Sequence, residues 1–108
     1  MNRYLNSVAW TDQVVGNLAD ALQSAGLAEN TLLVIMGDHG EAFQEHGQSV
    51  HNFSVYNEEV RIPLMFVNPQ VIPRRIDVTA LARQIDIAPS ILDLAGIAAP
   101  PNRPASRA

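Results

Sequence analysis

Residues 31–36 read Thr-Leu-Leu-Val-Ile-Met, an apolar run bounded by Asn30 and Gly37. A run this short, rich in strand formers and flanked by turn residues, reads as a central parallel strand covered on both faces. It is also far too short to cross a bilayer. Ahead of it, Leu5, Val8, Val15, Leu18, Leu22 and Ala25 recur at spacings of three, four or seven. They share one face of an amphipathic helix predicted over residues 3–26, with Gly26 as its stop. A helix, a tight turn at Glu29-Asn30 and then such a strand form the α/β pattern.

The chain has 108 residues, enough for one domain or a piece of one. Ile62–Val67 is a second strand candidate, with Pro63 near its start where a missing N–H does least damage. Asn68-Pro69 closes it, residues 70–77 form a surface connection, and residues 78–85 read as strand or helix equally. Asp86 is expected to cap a helix with Pro89 in its first turn, Ile87, Ile91, Leu94 and Ala95 on its buried stripe, and Gly96 as its stop. From Pro100 onward the sequence reads as a flexible Pro-rich tail.

Charge is unevenly placed. All seven basic residues are Arg, and none lies between Arg3 and Arg61. Five acids and all three histidines fall between Asp38 and Glu59. Oxygen and imidazole donors gathered without a positive side chain suggest a cation supplied from outside. A net charge of -4 argues against a nucleic-acid partner. The absence of cysteine excludes disulfides, thiolate zinc sites and thiol nucleophiles within these residues. Asp12 interrupts the first apolar stretch, so no secretory leader is expected here.

Gly37-Asp38-His39-Gly40 follows the first strand directly. Ligand sites of open parallel sheets lie at the carboxyl ends of strands, and two glycines let the backbone turn sharply beside a bound group. Asp-His-Gly alone is equally the composition of a plain turn. Residues 41–60 form a polar loop without clear period, of a length that is usually functional or disordered; its aromatics Phe43, Phe53 and Tyr56 favour order.

The wider wording is more specific. Arg3-Tyr4-Leu5-Asn6-Ser7-Val8 with Thr11-Asp12 and Val15-Gly16, then Asn30-Thr31-Leu32-Leu33-Val34-Ile35 and Gly37-Asp38-His39-Gly40-Glu41, resemble the second metal motif of the sulfatase family and the helix before it. Glu45-His46-Gly47, His51, Tyr56-Asn57-Glu58-Glu59 and Arg61-Ile62-Pro63-Leu64 resemble the loop and strand that follow. Asp86-Ile87-Ala88-Pro89-Ser90-Ile91-Leu92-Asp93-Leu94-Ala95-Gly96 resembles a late helix of that family, a branch of the alkaline phosphatase superfamily.

The resemblance implies the C-terminal part, residues 1–99, of an α/β/α sandwich with a mostly parallel sheet, incomplete in this chain. Asp38 and His39 would be two ligands of a catalytic divalent metal, Zn²⁺, Mn²⁺, Ca²⁺ or Mg²⁺. His51 falls where the family places a His or Lys that contacts the substrate anion or leaving group, which makes it the catalytic and substrate-binding candidate. Glu41 is a candidate orienting acceptor for His39 or His51. His46 is a candidate for the same outer layer, or for hydrogen bonding within the loop. Arg61 is expected to pair with Glu58 or Glu59, and Tyr4, Trp10, Phe53 and Tyr56 to serve in packing.

The family's nucleophile is a formylglycine made from Cys or Ser in sulfatases and a Thr in the related transferases. Thr11, Thr31 and Thr79 do not match its position, so it is expected upstream with the remaining acidic ligands. Two ligands rarely hold a catalytic metal. The 108 residues alone are therefore expected to bind metal weakly and to turn over no substrate. The leading reading is a metal-dependent hydrolase of sulfuric esters, with an anionic ester as its partner. A membrane-associated phosphoethanolamine or phosphoglycerol transferase is the alternative, with any membrane anchor upstream. A degenerate, non-catalytic fragment is a further one. The resemblance also implies an extracytoplasmic site of action, in the periplasm or on the outer face of the inner membrane.

Overall fold

The computed structural model describes residues 2–51 and 54–98. Along the chain run α1 (Asn2–Ser24), a 3-10 turn (Ala28–Asn30), β1 (Leu33–Met36), α2 (Asn57–Val60), β2 (Leu64–Val67) and α3 (Gln84–Leu94). The tail from Pro100 lies outside the described residues, as does Phe53.

Both long helices stop at the glycine the sequence marks. Gly26 and Gly96 each stand at φ 68°, a conformation open to glycine at no steric cost. Gly26 N–H donates to the Gln23 carbonyl at 3.1 Å and Leu27 N–H to Leu22 at 2.9 Å. Gly96 and Ile97 repeat the pattern onto Asp93 and Leu92 at 3.0 and 2.8 Å. These are the paired bonds of a Schellman close. The start of α3 corrects the expectation: the cap is Arg83, in extended conformation, and Asp86 is the third helical residue. The Asp86 carboxylate reaches back to accept from the Arg83 N–H at 2.9 Å, so Pro89 lies inside the helix rather than in its first turn.

The sheet is a second correction. β1 and β2 pair antiparallel, Leu33 opposite Val67 and Met36 opposite Leu64, as a two-stranded sheet. A parallel return would need a crossover that carries the chain back to the strand's starting end. Instead residues 37–63 leave and re-enter at one end, where Gly37 N–H donates to the Pro63 carbonyl at 3.2 Å. The single turn α2 is the only helix in that excursion among the described residues. At the opposite end, Asn68 is buried and uses its whole amide. Its Nδ2 donates to the carbonyls of Glu29 and Thr31 at 3.0 and 2.9 Å, and its Oδ1 accepts from the N–H of Gln70 and Val71 at 2.9 and 2.8 Å.

The apolar faces are less covered than the sequence pattern anticipates. Leu5, Val8 and Leu18 of the α1 stripe and Met36 of β1 are exposed, and so is Trp10, expected in packing. Only Ala42, Glu59 and Asn68 are buried among the described residues. The elements in contact are β1 with β2 and α1 with the 3-10 turn. Tyr4 adds an edge-on ring contact to Phe43, centroids 4.7 Å apart. The radius of gyration is 16.7 Å, against about 13 Å for a compact domain of this length. A strand apolar on both faces needs a layer on each, and these elements do not supply them. No helix among the described residues is long and apolar enough to cross a membrane.

Candidate functional site

Asp38 and His39 stand just beyond the carboxyl end of β1. The chain there is held from two sides. Gln84, the first residue of α3, donates its side-chain N–H to the Asp38 carbonyl at 2.9 Å. Gly40 N–H donates to the Glu59 carbonyl at 2.7 Å. A Cβ on Gly40 would collide with the Glu58 carbonyl oxygen and lie 3.2 Å from the Glu59 Cα. Glycine at 40 is therefore required by the close approach of the α2 backbone.

The two candidate ligands face each other. His39 Nε2 lies 3.7 Å from Asp38 Oδ2. His39 Nδ1 lies 2.7 Å from the Gly40 carbonyl, which can only accept, so that nitrogen bears the proton. The Nε2 lone pair of the neutral ring is then directed to the side shared with Asp38. Hydrogen bonds from its own and the His39 backbone hold the Asp38 carboxyl below the usual carboxylate range. The side chains are 88% and 42% exposed, so both are reachable.

His51 joins them from a part of the loop twelve residues on. Its ring stacks on His39 with centroids 3.8 Å apart at 29°. Its Nδ1 lies 3.3 Å from both carboxylate oxygens of Glu41. The preceding residue, Val50, has φ 80°, a left-handed conformation costly for a β-branched side chain. An open cavity of about 510 Å³ flanks this side, lined by Tyr4, Glu41, Phe43 and Val50 among others.

His46 lies apart from this group. Its ring stacks on Tyr56 at 3.7 Å and 11°, and its Nδ1 meets Glu58 Oε1 at 2.6 Å. That hydrogen bond is the chief reason the Glu58 carboxyl sits below its usual range. Glu58 thus has His46 as its partner where the sequence suggests Arg61. The buried Glu59 accepts from the Ser54 hydroxyl, and also from the Ser54 N–H at 3.4 Å. Sequence reasoning missed Gln84 and the role of Gly40. No local signal marks Gln84, 46 residues from the carbonyl it holds. Gly40 was legible only as a turn former.

Two donors bonded to one metal at about 2.0–2.2 Å can lie up to roughly 4 Å apart, and Asp38 with His39 meets that limit. Carboxylate oxygen and imidazole nitrogen also suit a divalent ion chemically. Among the described residues no group of three or more such side chains comes together. The pair fits a divalent metal as part of a ligand set.

A protein-family model described as Sulfatase matches residues 1–97. The arylsulfatase K of Mus musculus is 36% identical over 99 residues, 92% of this chain and 18% of that protein. The Delta 4,5-hexuronate-2-O-sulfatase of Bacteroides thetaiotaomicron is 35% identical over 88 residues, 80% of this chain and 18% of the relative. The N-acetylglucosamine-6-O-sulfatase of the same organism is 34% identical over 100 residues, again 18% of its length. No solved structure matches. The chain thus spans about 18% of the length of these relatives.

Proposed function

The chain belongs to the sulfatase family, and from that premise we propose that it supplies one side of the active site of a metal-dependent hydrolase of sulfuric esters. The observation that carries this reading is the Asp38–His39 donor pair at the end of β1, with the His51 ring stacked against it. Asp38 and His39 would hold a divalent metal together with ligands from outside this chain. Such an ion, when bound, polarises the ester and favours the ionised form of a nucleophile. His51, with Nδ1–H turned to Glu41, would in its doubly protonated form donate Nε2–H to the sulfuryl oxygens or the leaving oxygen, where that hydrogen bond counters developing charge. His46, latched to Glu58 and Tyr56, ties its part of the loop to α2.

The named relatives act on sulfate esters, which supports hydrolysis over phosphoryl-group transfer as the reading for this chain. The nucleophile and an extracytoplasmic site of action are parts of the same proposal, since both lie outside what these residues hold. The test is calorimetric titration of Mn²⁺, Zn²⁺, Ca²⁺ and Mg²⁺ into the full-length protein, paired with aryl sulfate hydrolysis. Asp38→Ala is expected to weaken binding of the active metal at least tenfold and to abolish turnover. Unchanged affinity in Asp38→Ala would remove this segment from the metal site.

A further inference from the structure

We propose that Glu41 is a positioning residue that fixes the His51 ring, and that His39-Gly40-Glu41 acts as one orienting unit for both imidazoles. This rests on the functional reading above and adds to it which group aims His51. In each ring Nδ1 is the occupied nitrogen: His39 uses it on the Gly40 carbonyl at 2.7 Å, and His51 on the Glu41 carboxylate at 3.3 Å to either oxygen. The two acceptors are neighbours in sequence. Their backbone is pinned where Gly40 abuts α2, by the N–H bond to Glu59 and by the space that only glycine leaves. Residues 39 and 41 flank that fixed point, and the stack of His39 on His51 closes the fourth side.

A carboxylate at the Nδ1 edge and a ring on the face leave His51 one orientation and one nitrogen, Nε2, to present. Glu41 is only 24% exposed, and His51 33%, so water competes little for the contact. Without Glu41 the ring keeps its stacking partner and loses its in-plane anchor. The effect of removing Glu41 should therefore pass wholly through His51.

Long-range proton–nitrogen NMR on the full-length protein with ¹⁵N-labelled histidine tests this. Spectra are taken at about pH 8, above the ordinary histidine range, where neutral rings report their tautomer. His51 is expected to carry its proton on Nδ1. Glu41→Ala should shift it to a mixture of tautomers, and Glu41→Gln, whose amide oxygen still accepts, should restore most of the original pattern. A proton on Nε2 in the unaltered protein overturns the proposal without any variant, as does an unchanged spectrum in Glu41→Ala. In aryl sulfate hydrolysis, Glu41→Ala should lower kcat about 10–100-fold. The Glu41→Ala/His51→Ala pair should be no slower than His51→Ala alone, because the two act as one unit. A further multiplicative loss in the double variant would show Glu41 acting independently. Absence of any hydrolysis by the unaltered protein would sink the sulfatase reading and leave the ring spectrum to judge Glu41 by itself.

Discussion

A methyl group on Gly40 has nowhere to go. It would meet the Glu58 carbonyl oxygen, its carbon at 2.9 Å and the Glu59 Cα at 3.2 Å, all backbone atoms that cannot swing aside. Gly40→Ala should therefore destabilise the full-length protein by about 1–3 kcal/mol, the range for overpacking, read from the urea midpoint. The same variant should loosen His39, whose Nδ1 depends on the Gly40 carbonyl. Asn68 offers a second test at this scale. Asn68→Asp keeps the shape but sets a carboxylate oxygen against the carbonyls of Glu29 and Thr31 in place of two N–H bonds. A loss of about 1–3 kcal/mol is expected, because buried acceptors are left without donors. Stability equal to the parent would mean that Asn68 is not the tie between the start of β1 and the end of β2. Asp38 and His39 stand out in the sequence as an acid and an imidazole in a glycine-flanked turn directly after an apolar run, whereas His51 is singled out by the family resemblance. The residues that hold them do not stand out. Gln84 and Asn68 act over 46 and 37–39 positions, and nothing in their neighbourhoods distinguishes them from ordinary surface amides.

At the scale of the element, one tie across the excursion between β1 and β2 is titratable: His46 with Glu58 at 2.6 Å, backed by the Tyr56 stack. That hydrogen bond lowers the Glu58 carboxyl from its ordinary value of 4.5. A carboxyl lowered by folding contributes stability above its unfolded value and loses it as pH falls through the folded one. The latch should thus hold at neutral pH and open on acidification below about 4.5, where Glu58 takes up a proton. The observable is the upfield ring-current shift that Tyr56 imposes on the His46 ring protons, followed down the pH scale. Glu58→Gln should remove that acid transition, and its persistence would place the titrating group elsewhere. The helices and strands around this loop were largely legible: Schellman closes at Gly26 and Gly96 follow from glycine at each helix end. The direction of strand pairing was not. A doubly apolar strand matches a parallel sheet, but it pairs here with the return of its own loop, a choice made by the geometry at Gly37 and Pro63 and not by side-chain pattern.

For the whole molecule the deciding quantity is uncovered surface. The chain exposes 9011 Å², whereas a folded monomer of 11.8 kDa exposes about 5,900 Å² by the usual size scaling. Leu5, Val8, Trp10 and Leu18 along α1, and Met65 and Val67 on β2, are among the apolar side chains left outside. Surface of that kind is stable only when something apolar covers it. The same shortage appears in the chemistry: Asp38 and His39 give two donors where a held catalytic ion usually needs three or more. Packing and ligation are thus both left open among the described residues, which supports the proposal that further layers and ligands come from outside them. It follows that the 108 residues expressed alone should bind an apolar dye such as ANS and show weak amide protection. They should take up Mn²⁺ or Zn²⁺ only weakly, at about millimolar concentrations or above, and hydrolyse no aryl sulfate. A longer polypeptide that supplies the missing layers should reverse all three. Turnover of aryl sulfate by the isolated 108 residues, with tight metal uptake and a cooperative melt, would mean that the exposed stripe of α1 and the lone donor pair are sufficient as they stand. The assignment of the remaining ligands to a neighbouring segment would then fail.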